Sequence, residues 1–167
     1  THRIVQALVA ERMVVKDGDS HRYFLGPECH VLGIVASKRY GITKLAEGIV
    51  SAIAEHCGDS AFLSIRSGPE SVCVIREDGD SLLKTHVLQP GVRLPLGVVA
   101  GGMAMLATLD LKEAEHCMKT NEVVLARKYP TFTEEFLKRE VKATHERGYA
   151  LNMGYLVPGS WAIAVPV

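Results

Sequence analysis

The sequence predicts an α+β fold, in which antiparallel strands are flanked by helices. Three observations lead there. Short β-prone runs come in neighbouring pairs around turn residues, as Ser60 to Arg66 and Val72 to Arg76 do around Ser67-Gly68-Pro69-Glu70-Ser71. Long stretches of helical periodicity lie before and after those pairs, the pattern of helices packed on antiparallel strands. The 167 residues are 47% hydrophobic and 23% charged, which suits one globular domain plus an appendage and is too apolar for disorder.

The totals also exclude function classes. Lys+Arg 19 balances Asp+Glu 19, so no overall basic field marks a nucleic-acid or membrane partner, and any DNA contact must come from a local patch. Cys29, Cys57, Cys73 and Cys117 lie far apart without a C-x-x-C pair, which argues against a disulfide framework and for a reducing, cytoplasmic setting. No apolar run has the length of a bilayer span, and no signal-peptide pattern opens the chain. Thr1 enters helical periodicity at once, and the apolar run Trp161 to Val167 has nothing after it to cover it, so the sequence reads as a fragment.

In chain order, Ile4, Ala7 and Leu8 recur at helical spacing, with Met13 beyond and His2, Arg3 and Gln6 on the opposite face, predicting a helix from Thr1 to about Arg12. Met13-Val14-Val15 and Arg22-Tyr23-Phe24-Leu25 flank an Asp-Gly turn, which predicts a hairpin. Helix then ribbon is the second half of a winged helix-turn-helix, whose helix enters the major groove. The alternative is a plain helix and hairpin with scattered surface charge. Pro27 opens a short helix with Cys29, Leu32, Val35 and Ala36 on one side, ending near Lys38 to Gly41, read as a linker helix or dimer contact. The strongest helix follows, with Ile42, Leu45, Ala46, Ile49, Val50, Ile53, Ala54 and Cys57 on one face and Gly58 as its stop. Beyond the hairpin at Ser60 to Arg76, Leu82 to Leu88 reads as a third strand. Asp110 caps a helix holding Leu111, Ala114, Cys117 and Met118, and Tyr129-Pro130 breaks the next segment. Thr133 starts a helix with Phe136, Leu137, Val141 and Thr144 inward, stopped by Gly148. Tyr149 to Met153 and Trp161 to Val167 read as a last hairpin.

The chain is organised around Leu94 to Leu109, Leu-Pro-Leu-Gly-Val-Val-Ala-Gly-Gly-Met-Ala-Met-Leu-Ala-Thr-Leu. Its glycines permit close backbone approach or a turn, and Met103 to Ala107 are good helix formers. Ala100 to Gly102 therefore fall at a helix N-terminus, where free N–H groups and the dipole favour a small anion. No Lys follows the glycines and the Walker spacing is absent, so a nucleotide phosphate loop does not fit. With walls of Val, Leu and Met, including Val99 and Met105, the expected ligand is a small acid with one carboxylate. A glycine-assisted strand-to-helix turn packed in a core is the alternative.

Taken together, Thr1-His2-Arg3…Leu8, Arg22-Tyr23-Phe24-Leu25-Gly26, Pro90-Gly91-Val92-Arg93-Leu94-Pro95-Leu96 and Arg147-Gly148-Tyr149-Ala150…Val157-Pro158-Gly159-Ser160-Trp161-Ala162-Ile163-Ala164 stand in one order over essentially the whole chain. In these segments the chain resembles the isocitrate-lyase-regulator (IclR) family of bacterial transcription factors. The resemblance implies the C-terminal part of a winged helix over residues 1–26, a linker helix over 27–41 and a GAF/PAS-like effector-binding domain over 42–167, C-terminally truncated. It implies a dimer or tetramer that binds palindromic operators and answers to small metabolites, often organic acids. It places Leu96, Ala100, Gly101, Asn152 and Ala162 on the effector pocket. Val99, Gly102, Met105 and Trp161 complete the expected ligand site, and Thr1, His2, Arg3, Gln6 and Arg22 form the expected DNA-binding set. In acid-binding members an acidic residue often stands at Asn152 and a Cys sometimes at Ala162. This chain lacks that charge and that sulfur, so a glyoxylate- or pyruvate-like ligand is not carried over.

Chemistry other than binding finds little support in the residues, and no catalytic residue, metal or cofactor is expected. His56-Cys57 and His116-Cys117 are helical neighbours that point apart, without zinc-ligand spacing. Cys57 and Cys117 sit on apolar helix faces, where Cys acts as a small hydrophobe, and redox sensing by Cys29 or Cys73 has little behind it. Gly159-Ser160-Trp161 is not a nucleophile elbow, since no glycine follows at the second position. Trp161 either walls a pocket or packs in the core. The rivals to an allosteric regulator are an enzyme of the same fold and a purely structural oligomerisation module.

Overall fold

A computed structural model describes the chain apart from Thr1, His21, Leu83 and Thr85 and the side chains of Lys38, Arg39 and Tyr40. Two compact units, Thr1–Leu45 and Ala46–Val167, divide it. The described elements are mixed α and β, and every paired strand is antiparallel.

In the first unit, helix α1 (His2–Ala10) leads to strands β1 (Val14–Lys16) and β2 (Tyr23–Leu25), paired Val14↔Leu25, Val15↔Phe24 and Lys16↔Tyr23. The helix stops where Arg12 takes a φ of 55°, and the Met13 N–H reaches back over it to the Leu8 carbonyl at 2.9 Å. That is the six-to-one bond of a left-handed helix end. In the hairpin turn the Asp17 carboxylate accepts from the Ser20 hydroxyl and from its N–H, and these bonds hold it below the usual carboxylate range. Helix α2 (Pro27–Tyr40) opens with proline in its first turn. Of the apolar positions that predict α1, Leu8 and, beyond the helix, Met13 are half-buried, while Ile4 is 66% exposed. Tyr23, Phe24, Leu25, Leu32 and Val35 are exposed too, so the described residues of this unit build almost no core of their own.

Helix α3 (Ile42–Cys57) has the expected length, yet of its eight apolar positions only Val50 and Ala54 are buried, and Leu45 is 80% exposed. Strands β3 (Ala61–Ser67) and β4 (Glu70–Glu77) form a tighter hairpin than the turn residues suggest, with Ser67 already paired to Glu70. The third strand is not Leu82 to Leu88. Residues 82, 84 and 86–88 are not in a strand, and Leu83 and Thr85 lie outside the described residues. The neighbour of β4 is instead β5 (Arg93–Pro95), paired Glu70↔Pro95, Ser71↔Leu94 and Val72↔Arg93. The reason lies in the Gln89-Pro90-Gly91 turn. It delivers the Gly91 N–H to the Cys73 carbonyl at 2.8 Å and the Val92 carbonyl to the Cys73 N–H at 3.0 Å, filling that edge of β4. The Leu88 carbonyl meets the Arg76 guanidinium at 2.9 Å rather than a ladder N–H.

Helix α4 (Ala100–Thr108) follows and is buried on nearly all sides, through Ala100, Gly102, Met103, Ala104, Leu106 and Ala107. A helix apolar all round belongs inside a core. Helix α5 (Leu111–Lys128) begins at Asp110, whose carboxylate takes the Glu113 N–H at 2.9 Å, and buries Ala114, Cys117, Met118, Asn121 and Leu125. Leu111 departs from its expected inward place and is 83% exposed, because the first helical position beside a cap faces outward here. Asn121 ties α5 to the β3–β4 turn by donating to the Pro69 carbonyl at 2.8 Å. Helix α6 (Glu134–Arg147) runs from the Thr133 cap to a left-handed Gly148, with Phe136, Leu137, Glu140 and Thr144 buried and Val141 half-buried. Strands β6 (Ala150–Met153) and β7 (Trp161–Ala164) close the chain, paired Asn152↔Ala162 and Met153↔Trp161. The main core runs through Leu96, Val98, Leu106, Cys117, Phe132 and Leu137, with α4 at its centre.

Candidate ligand site

The site begins at a backbone feature. Gly97 has a φ of 96°, and a Cβ there would stand 2.5 Å from Leu137 Cδ2. A side chain would be both strained and obstructed, so glycine lets the chain turn from β5 into α4 against α6. Val99 is the extended residue before the helix and offers no side-chain cap to the first-turn N–H groups of Ala100, Gly101 and Gly102. The first bond of the turn is Met103 N–H to the Val99 carbonyl at 2.8 Å.

Beside that turn lies a cavity of about 10 Å³, room for about one water molecule. Gly97, Val99, Ala100 and Met103 form one wall. Phe132, Phe136 and Glu140 form the second, and Leu151, Asn152 and Tyr155 the third. The aromatic side is locked edge to face, with Phe132 and Phe136 centroids 5.4 Å apart and Phe136 and Tyr155 4.9 Å apart. Asn152 is engaged at both ends of its amide. Its Nδ2 donates to the Val98 carbonyl at 3.1 Å, and its Oδ1 accepts from the Tyr155 N–H at 3.0 Å. Glu140 is the buried acid of the site, with Arg139 Nε 3.4 Å from Oε1 and Arg147 Nη2 3.7 Å from Oε2. On the same helix face Thr144 Oγ1 and Arg147 Nε are buried without a hydrogen-bond partner.

Of the nine residues expected at the ligand, Val99, Ala100 and Asn152 line this cavity. Leu96 is in the core instead, and Met105 packs beside it. Gly101 and Gly102 back onto the sheet. A Cβ on Gly101 would meet Ser64 at 3.9 Å, and one on Gly102 would meet Ser71 Oγ at 3.1 Å. The missing side chain of Gly102 lets α4 lie close to β4, whereas a Cβ on Gly101 would make only ordinary contact with β3. Trp161 is 71% exposed on β7 and Ala162 is exposed beside it, so Trp161 neither walls the cavity nor packs in the core. Gly97, Met103, Phe132, Phe136, Glu140, Leu151 and Tyr155 complete the lining, and none of them belongs to the set expected from sequence. A signal existed for one of them. Phe136, Glu140 and Thr144 are spaced by four, so an acid stands on the inward stripe of a helix.

His2, Arg3, Gln6 and Arg22 are exposed in the first unit, and Thr1 lies outside the described residues. Among the described residues no His, Cys, Asp and Glu gather in a group able to hold a metal, and no helix is long and apolar enough to cross a membrane. Cys57, expected to act as a buried hydrophobe, is exposed because its stretch of α3 is uncovered, whereas Cys73 and Cys117 are buried. Burial pushes the Cys73 thiol up, away from the reactive thiolate.

Residues 35–167 match the family model described as bacterial transcriptional regulator IclR C-terminal. The chain is 25% identical over 166 residues to the probable transcriptional regulator SauR of Cupriavidus necator, covering 99% of this chain and 66% of that protein. It thus spans a little under two thirds of the length of that relative. The crystal structure of the Thermotoga maritima IclR superposes with a TM-score of 0.72 at 25% identity, covering 99% of this chain and 66% of the other. That of an IclR homologue from Microbacterium hydrocarbonoxydans, complexed with 4-hydroxybenzoate, superposes with a TM-score of 0.74 at 20% identity, covering 99% and 68%. The relatives are named as regulators of transcription and not as enzymes, and with the family model covering most of its length this chain belongs to the IclR family of bacterial transcriptional regulators.

Proposed function

We propose that this chain is the larger part of a cytoplasmic, DNA-binding, homo-oligomeric regulator. Its second unit binds a small metabolite, an organic acid first, and thereby alters operator binding. The observation that supports this most is the uncapped first turn of α4 opening beside a cavity with apolar and aromatic walls. Free N–H groups at a helix N-terminus favour a carboxylate, and Val99, Ala100 and Met103 suit a short carbon skeleton. At about 10 Å³ the cavity admits a metabolite only after its aromatic wall moves. An effector that binds the opened arrangement shifts the population toward it, by as much as its affinities for the two arrangements differ. The linker helix α2 and α3 carry the chain from the exposed His2, Arg3, Gln6 and Arg22 to this domain, and so provide the covalent route by which half-site spacing responds.

The test is thermal denaturation of the full-length protein with organic, aromatic and sugar acids, 4-hydroxybenzoate among them. A true effector raises the melting temperature by mass action and changes operator affinity in the same concentration range. Ala100→Val, which fills the cavity, abolishes both responses while leaving operator binding without ligand intact. A panel without effect on the wild type, or an unchanged response in Ala100→Val, overturns the reading.

A further inference from the structure

The one charged side chain on the cavity wall is an acid, Glu140, only 7% exposed. It occupies the stripe of α6 that also buries Phe136 and Thr144, where an apolar residue would continue the packing. A carboxylate has about four acceptor positions. Arg139 Nε donates one long hydrogen bond to Oε1 at 3.4 Å, and Arg147 Nη2 stands 3.7 Å from Oε2, against roughly 2.7–2.9 Å for a strong charge-assisted bond. Arg139 is mostly in solvent and reaches across the Phe136 ring. The carboxylate is therefore offset in charge, and with one long bond to Oε1 it keeps acceptor positions for a further donor. The Asn152 amide on the facing wall already serves Val98 and Tyr155.

We propose that Glu140 determines the specificity of the cavity by accepting a hydrogen bond from a hydroxyl group of the effector, which makes the ligand class hydroxy acids rather than plain carboxylic acids. Two guanidinium groups around one carboxylate leave a positive surplus, so an acid remains admissible beside Glu140. The inference rests on the cavity being the effector site.

Calorimetric titration of the full-length protein with matched pairs tests it: propanoate against lactate, benzoate against 3-hydroxybenzoate, and 3-phenylpropanoate against 3-phenyllactate. In the wild type the hydroxylated member of the pair that fits binds at least about tenfold more tightly. Glu140→Leu brings the two members to within about threefold, by weakening the hydroxylated one only. Glu140→Gln keeps an acceptor oxygen and the side-chain shape, so it retains most of the preference, which separates the missing acceptor from general damage to the fold. Equal binding of both members to the wild type, or an undiminished preference in Glu140→Leu, overturns the role of Glu140 and leaves the cavity as the effector site. Failure of all six compounds and of the wider acid panel to bind the wild type overturns the site itself, and the specificity role falls with it.

Discussion

Alanine at two glycines of the same segment should destabilise at one and not at the other. At Gly97 the backbone is held at a φ of 96°, and an added Cβ would lie 2.5 Å from Leu137 Cδ2 and 3.4 Å from Leu106 Cδ2. Both leucines are fully buried, so neither can swing into solvent. A positive φ costs a side-chain-bearing residue about 1–2 kcal/mol. Overpacking in a filled core adds about 1–3 kcal/mol. The smaller entropy of the unfolded alanine chain returns about 0.4–1 kcal/mol. Gly97→Ala should therefore destabilise by about 1–5 kcal/mol. At Gly101 the nearest atoms to an added Cβ are those of Ser64 at 3.9 Å, ordinary contact, and the residue is helical. Alanine is favoured over glycine in a helix by up to about 1 kcal/mol, so Gly101→Ala should be neutral or slightly stabilising. Urea unfolding of both variants, followed by circular dichroism with the slope m held as a check, reads the difference as a shift in midpoint. A Gly97→Ala midpoint equal to the wild type, or a destabilisation above about 1 kcal/mol in Gly101→Ala, would refute the assignment of strain to Gly97 and of room for a Cβ at Gly101.

Further outcomes follow from single interactions. Asn152→Ala removes the bonds to the Val98 carbonyl and the Tyr155 N–H, and should cost about 1–3 kcal/mol in a thermal or urea melt. The side-chain bond from Arg76, then that from Ser60, holds the Asp78 carboxyl below the usual carboxylate range. Such a group contributes stability that is complete above its unfolded pKa and fades as the pH falls through the lowered one. Asp78→Asn should accordingly cost more at pH 6 than at pH 3, and an equal cost at both would deny the linkage. In the full-length protein Arg3→Ala and Arg22→Ala should each lower operator affinity and reduce its salt slope by about one if they touch phosphate. An unchanged slope would remove them from the DNA surface.

The helix ends of the second unit are legible in the sequence because their chemistry is local. Asp110, Thr133 and Gly148 each act on a backbone group within four residues, and each occupies the place its residue type demands. Tertiary competition is not legible there. Leu82 to Leu88 has strand composition, but Arg93 to Pro95 takes the edge of β4, a choice made by how the Pro90-Gly91 turn delivers the chain. The apolar stripe of α3 correctly signals a helix but not a fully buried face, since periodicity gives the stripe and not its cover. The segment Leu94 to Leu109 stands at the centre of the fold as its composition suggests, and α4 is buried on nearly all sides. Which side of that segment faces the cavity depends on Phe132, Phe136, Glu140 and Tyr155, far along the chain, and no local pattern joins them to Gly97.

Those distant residues also set the cost of opening the site. Phe136 packs edge to face with both Phe132 and Tyr155, and each such pair is worth about 0.5–1.5 kcal/mol beyond its buried area. Breaking both costs about 1–3 kcal/mol, which places the opened cavity at roughly 0.5–15% of the population without ligand. Apparent affinity is reduced by that same fraction, and the cost matches the size of a typical coupling between sites. Tyr155→Leu removes one of the two ring pairs while leaving its backbone N–H on Asn152. It should raise the association rate of an effector up to about tenfold, measured by surface plasmon resonance on the immobilised full-length protein. The free energy released cannot exceed what the Phe136–Tyr155 pair contributes, so a much larger acceleration would mean that the whole loop had come loose. An unchanged association rate would show that the aromatic wall is not what a ligand must displace, and the barrier to entry would then lie with Met103 and Leu151 on the other walls.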